Sequence, residues 1–125
     1  MPVRGIRGAT VAEEDRPEAI LAATRELLGR IVQANPSLDT ADLASVLFTV
    51  SDDLHSAYPA LAARELGWTD VPLLCAREIP VPGGLARCIR VLLHWNTALP
   101  QDAVRHVYLG PTAAALRPDL YEAGI

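Results

Sequence analysis

Arginine on apolar, strand-like segments is the first chemical signal in this chain. Arg90 sits within Cys88-Ile89-Arg90-Val91-Leu92-Leu93-His94-Trp95. Alternation there puts Cys88, Arg90, Leu92 and His94 on one face and Ile89, Val91, Leu93 and Trp95 on the other. A guanidinium among such neighbours must be paired or must face a ligand, because an isolated buried charge costs several kcal/mol. Glu78, on the preceding apolar segment, can pair with Arg90 in a plain structural salt bridge. The other reading makes Arg90 and Arg7 clamps for an anion, with Tyr108 donating its hydroxyl and Glu78 accepting from a ligand hydroxyl. The pattern alone leaves both open. All eleven basic side chains are arginine and none is lysine, and guanidinium is the planar fork that grips carboxylates and phosphates through paired hydrogen bonds. Genomic base composition accounts for the missing lysine, but not for where individual arginines sit.

Other chemistries lack their signatures. The chain has no GxSxG elbow, HExxH pair, glycine-rich phosphate loop or CxxC. His55 beside Asp52 and Asp53 reads as a turn and helix cap rather than a metal site, and His94 and His106 are scattered, so neither metal nor cofactor is expected. Cys75 reads as a buried strand cysteine rather than a nucleophile. With Cys88 it makes too small a set for a disulfide framework or a zinc cage.

The elements that must position these residues follow from periodicity. A strand over 3–12 contains Gly5 and Gly8 with Arg7 between them, and glycine in a strand marks a bulge or a close approach. Asp15 reads as an N-cap with Pro17 in the first turn. Ile20, Thr24, Leu27, Leu28, Ile31 and Val32 then predict a helix over 17–34, closed by Asn35-Pro36. Further strands are expected at 43–51, 71–79, 88–97 and 104–109, with a short helix near 56–66 interrupted at Pro59 and a helical turn at 112–116. The predicted fold class is α+β, a five-stranded mixed sheet with one long helix on one face. The other face needs a partner, because the strands at 71–79 and 88–95 are apolar on both sides. A site between subunits is the easiest way for so small a chain to enclose a ligand.

At 125 residues the chain suffices for one domain, expected over 1–110 with a mobile tail at 111–125. Half the residues are apolar and 21% are charged, and fifteen acidic against eleven basic side chains give −4. That balance argues against nucleic-acid or membrane-surface partners. No apolar run approaches the roughly 18 to 20 residues of a membrane span. Met1-Pro2-Val3-Arg4-Gly5 lacks the apolar core of a leader, so a cytoplasmic location is expected.

Four strings in order sharpen this reading: Arg4-Gly5-Ile6-Arg7-Gly8-Ala9-Thr10, Val81-Pro82-Gly83-Gly84-Leu85 followed by Cys88-Ile89-Arg90-Val91, Pro100-Gln101-Asp102 leading into Arg105-His106-Val107-Tyr108-Leu109, and Leu116-Arg117-Pro118-Asp119-Leu120. Through them the chain resembles, over nearly its whole length, the monofunctional trimeric chorismate mutases of the pseudo-α/β-barrel type, unrelated in fold to the all-helical chorismate mutases. The resemblance implies a homotrimer with sites in the clefts between neighbours. It implies rearrangement of chorismate to prephenate, the committed step toward phenylalanine and tyrosine, without a cofactor. Motif positions match at the catalytic set Arg7, Glu78, Arg90 and Tyr108. Cys75 falls where the family contacts the substrate hydroxyl, Arg64 and Arg117 match more peripheral arginines, and Tyr58 stands where an aromatic, commonly Phe, walls the pocket. Leu74 and Leu116 complete the expected binding set. Cys75 and Glu78 differ in parity and should face opposite ways; a bulge would reconcile them, or Cys75 acts through its backbone, the reading favoured here. Two other readings are a trimeric imine-hydrolysing deaminase and a non-catalytic trimeric binder of chorismate-like dicarboxylates.

Overall fold

In the computed structural model, which describes residues 1–117, the strands are β1 (Val3–Val11), β2 (Leu43–Val50), β3 (Leu73–Arg77), β4 (Cys88–Asn96) and β5 (Val107–Tyr108). They form one sheet in the order β3-β2-β4-β1-β5. The central strand β4 runs antiparallel to β1 and β2, whereas β2–β3 and β1–β5 are parallel pairs. Among the described residues three α-helices accompany them: α1 (Pro17–Ala34), α2 (Ala60–Glu65) and α3 (Thr112–Leu116). The α+β class and the mixed sheet are as expected.

Alternation divides the sheet into two unlike faces. Ile6, Val46, Phe48, Val91, Leu93 and Trp95 point to one side and are buried against Leu27, Leu28 and Ile31 of α1. Gly8 lies on this side, where a Cβ would stand 2.9 Å from Ile31 Cδ1, 3.2 Å from Leu27 Cδ1 and 3.1 Å from the Val107 carbonyl. The close approach expected of a strand glycine is therefore that of the long helix. Gly5 has no such constraint, since its added Cβ would meet only Leu92 Cδ1 at 3.6 Å.

The opposite face carries side chains in register rows. Leu74, Leu47, Leu92 and Arg7 align across β3, β2, β4 and β1, and beside them run Ala76, Thr49, Arg90, Ala9 and Tyr108. The open face thus combines an apolar row with a row containing the key guanidinium.

Several boundaries differ from expectation for identifiable reasons. Asp15 does not cap α1; Arg16 precedes the helix without a side-chain cap. Asp15 Oδ1 instead accepts from the backbone N–H groups of His55 and Ser56 and from the Ser56 hydroxyl, while His55 Nε2 lies 3.1 Å from Oδ2. These bonds tie the segment before α2 to the start of α1, and His55 pairs with Asp15 rather than its near neighbours in sequence. α2 begins only after Pro59. The third strand shrinks to five residues. The fifth is two residues long, because Arg105 gives both its backbone N–H and its carbonyl to Asn35 just past α1. In α3, buried Thr112 donates its hydroxyl to Leu109 O at 2.7 Å and reaches Ala9 O at 3.3 Å, returning the chain to β1. Residues 118–125 of the expected tail, including Pro118-Asp119-Leu120 of the last string, lie outside the described residues.

Candidate active site

Arg90 leaves β4 on the open face, flanked by Thr49 on β2 and Ala9 on β1. Its Nε lies 3.5 Å from Glu78 Oε2, close enough for ionic attraction but without a hydrogen bond. That carboxylate oxygen is already bonded by the Thr49 hydroxyl at 2.8 Å. Glu78 is therefore oriented by Thr49 and only neighboured by Arg90. The charges are adjacent, yet the Nε donor makes no hydrogen bond among the described residues.

Across the same cleft, Tyr108 enters from β5 beside Ala9. Arg90 Nε and Tyr108 Oη are the two buried side-chain polar atoms that lack a hydrogen-bond partner among the described residues. Leaving such an atom unsatisfied costs roughly 1–3 kcal/mol. The two lie in one cleft, where a bound water or ligand can satisfy them. Arg7, exposed on the neighbouring strand, has a guanidinium with no hydrogen bond or ion pair to the described residues. Leu47, Leu92 and Leu116 supply apolar wall between these groups, in a cleft of about 190 Å³. Arg117 stands just after Leu116, its guanidinium carbon 6.0 Å from the centre of the Tyr108 ring. The cleft thus sets cationic donors and a hydroxyl opposite one fixed carboxylate, with an apolar floor. Such a site suits a small dianion carrying a hydroxyl.

The remaining expected residues lie elsewhere on the chain. Tyr58 and Cys75 line a second cleft around the β3 edge, about 420 Å³ in volume. Leu74 belongs to a shallow apolar depression on the open face with Ser45 and Leu47. Arg64 is exposed on α2 and lines neither cleft. One chain therefore brings Arg7, Glu78, Arg90, Tyr108 and Leu116 together and leaves Tyr58, Arg64 and Cys75 apart.

The parity conflict between Cys75 and Glu78 resolves without a bulge. The β2–β3 register runs unbroken from Val46↔Leu73 to Val50↔Arg77, and Glu78 follows directly, its N–H donating to Val50 O at 2.9 Å. Glu78 then points to the open face and Cys75 to the core side, where it is half-buried against the apolar cluster. Burial raises the Cys75 thiol above its ordinary pKa, with partial relief from an Ala60 backbone bond and the Arg64 charge. It is a protonated thiol rather than a poised nucleophile.

Sequence reasoning missed Thr49, the residue that orients Glu78, and the apolar floor of Leu47 and Leu92. Their roles depend on the β2–β4 register, for which neither strand carries a local signal.

Comparison with known proteins decides the family. The chorismate mutase type I family matches residues 3–120. The chain belongs to that family. It is 61% identical to chorismate mutase AroH of Thermus thermophilus over 121 residues, covering 97% of this chain and 98% of the relative. It is 47% identical to chorismate mutase AroH of Bacillus subtilis, covering 96% of this chain and 94% of that one. Among solved structures, a chorismate mutase from Clostridium thermocellum superposes with a TM-score of 0.81 at 45% identity, over 84% of this chain and 93% of the other. As a chorismate mutase this chain is an isomerase, of the mixed-sheet rather than the all-helical kind. Among the described residues, no helix is long and apolar enough to cross a membrane.

Proposed function

We infer that this chorismate mutase rearranges chorismate to prephenate in the Arg7–Glu78–Arg90–Tyr108 cleft, completed by a neighbouring copy of the chain. The reaction is a unimolecular [3,3] shift in which a C–O bond breaks as a C–C bond forms. No proton has to move and no covalent intermediate has to form. The protein contributes by holding the compact chair-like conformer and by presenting a field matched to the charge that develops. Negative charge grows on the departing ether oxygen, and a fixed cation there binds the transition state more tightly than the ground state. Arg90 takes that position, because its buried Nε is a donor folding has left without an acceptor. Arg7 and Tyr108 hold a carboxylate. Glu78, fixed by Thr49, accepts the ring hydroxyl's hydrogen bond and lies near positive charge developing on the ring.

The observation carrying this reading is the pair of buried, unpartnered donors facing the same cleft as an oriented carboxylate. The test follows the ultraviolet absorbance of chorismate. Protein should abolish it with turnover, and Arg90→Ala should not. Unchanged absorbance with folded protein at micromolar concentration refutes the assignment.

A homotrimer with sites between subunits explains the division of expected residues. Leu74 is 66% exposed at the end of the apolar row, and Tyr58 is 74% exposed beside Cys75. Packing the open face of one copy against the β3 edge of another would bring Tyr58, Arg64 and Cys75 to the guanidinium cleft and cover that row. Cys75 would then meet the substrate through its backbone. Light scattering should give about three times 13.4 kDa, and a monomer that is fully active would rule the arrangement out. Two free thiols, Cys75 and Cys88, fit a reducing cytoplasmic setting.

A further inference from the structure

The outer edge of β1 is finished in an unusual way. Backbone pairing with β5 extends only over Gly8↔Val107 and Ala9↔Tyr108. Before that point side chains replace the missing strand. The Gln101 amide accepts from Gly5 N–H at 2.9 Å and donates to Gly5 O at 2.8 Å, so it acts as a surrogate peptide. At Arg7 the backbone N–H donates to His106 Nδ1 at 2.9 Å. The reason lies one residue earlier in the chain. Asn35 Nδ2 donates to Arg105 O and Asn35 Oδ1 accepts from Arg105 N–H, so the backbone that would have continued the ladder is already engaged by the end of α1. The imidazole fills the gap.

We propose that His106 is a positioning residue for Arg7: as a neutral imidazole accepting at Nδ1, it completes the edge of β1 and fixes the direction in which the Arg7 guanidinium leaves the strand. The proposal rests on the reading of Arg7 as a substrate-carboxylate group. Accepting at Nδ1 puts the single ring proton on Nε2. A second proton at Nδ1 would meet the Arg7 N–H head-on, and the bond could exist only in the neutral state. The surroundings favour that state. Burial first, then the charges of Arg117 beyond α3 and Arg7 on β1, push the imidazole below its ordinary 6.5. Both charges acting on it are cationic, so protonation would break the bond and add a third cation beside them.

The test compares His106→Asn with His106→Leu. Asn Oδ1 and His Nδ1 are each one bond from Cγ, so Asn keeps the acceptor without the titration, whereas Leu keeps bulk and loses the acceptor. His106→Leu should raise KM for chorismate about three- to tenfold, as expected for one lost hydrogen bond, with kcat changed less. His106→Asn should restore KM to within about twofold of the wild type by the same reckoning. The wild-type kcat/KM should be level through neutrality and fall in acid below the usual imidazole range, and His106→Asn should remove that fall. In an Arg7→Ala background, His106→Leu should add almost nothing. Should His106→Leu fail to fold, the 15N shifts of the wild-type ring decide instead: the Nε2–H tautomer supports the proposal and the Nδ1–H tautomer overturns it. An unchanged KM in His106→Leu, or an Asn variant as impaired as the Leu variant, also overturns it. Arg7→Ala separates the layers. If it leaves KM unchanged, the substrate role of Arg7 fails; if it raises KM while His106→Leu does not, only the positioning role fails.

Discussion

Replacing Arg90 by Lys tests the central claim most sharply, because the structure separates what the side chain does for the fold from what it does for the reaction. Arg90 Nε makes no hydrogen bond within the described residues, so the substitution breaks none there. Its ionic neighbour Glu78 stands at 3.5 Å, both side chains about a third exposed (35% and 30%), and such a pair contributes about 1 kcal/mol or less. Glu78 keeps its Thr49 bond in the variant. The expected stability loss is therefore small. On the reaction, losing one preorganised donor to a developing oxyanion costs about 3–4 kcal/mol, or roughly 10²–10³ in kcat. Lysine retains charge but not the fork, and its ammonium has Glu78 within reach as a competing partner. Arg90→Lys should thus fall by about that factor in kcat, and in kcat/KM at least as much, since the interaction strengthens on the way to the transition state. Arg90→Ala should fall further. The assay is initial-rate loss of chorismate absorbance across a substrate range, paired with a thermal melt. A lysine variant within tenfold of wild-type kcat would refute the reasoning. So would a large drop in Tm accompanying an equally modest loss of rate, which would make Arg90 a structural partner of Glu78.

Further expectations follow from individual contacts. Tyr108→Phe removes a buried hydroxyl without a partner, so Tm should hold or rise while KM for chorismate increases, as read by melts and steady-state kinetics. Gly8→Ala drives a Cβ to 2.9 Å from Ile31 Cδ1 and 3.1 Å from a backbone carbonyl, and should cost about 1–3 kcal/mol in urea unfolding; Gly5→Ala should be tolerated far better. Asp15 and Asp53 both have carboxyl pKa values held below the ordinary 3.8, each chiefly by a serine hydroxyl, Ser56 and Ser51 respectively. A depressed folded pKa means stability present above the unfolded value and lost as pH falls through the folded one. Asp15→Ala should accordingly flatten the acid limb of Tm below about pH 4 and loosen the segment at 55–56 in hydrogen exchange.

Much of this arrangement is legible in the sequence. The helix over 17–34 was readable because its apolar residues repeat at helical spacing for several turns. The face assignment of Arg90 was readable because alternation runs without interruption from Cys88 to Trp95. Where the outcome depended on partners distant in the chain, local pattern failed. Asp15 has an N-cap's composition and position, yet segment 55–56 offers it three donors and prevails. The fifth strand looked longer because nothing near Arg105 announces that Asn35 will claim its peptide groups. Thr49 was overlooked for the same reason: only the pairing of β2 with β4 sets it beside Arg90. The expected parity of Cys75 and Glu78 was right, and the reconciling bulge is absent.

The side-chain finish on β1 also bears on how this sheet avoids unwanted growth. Unpaired peptide groups along a strand are a template onto which another chain can add. At Gly5 and Arg7 the sites where an intruding strand would begin are already occupied, one by an amide and one by an imidazole. Along this side of the sheet, open-ended edge pairing that could propagate into fibres is thereby obstructed.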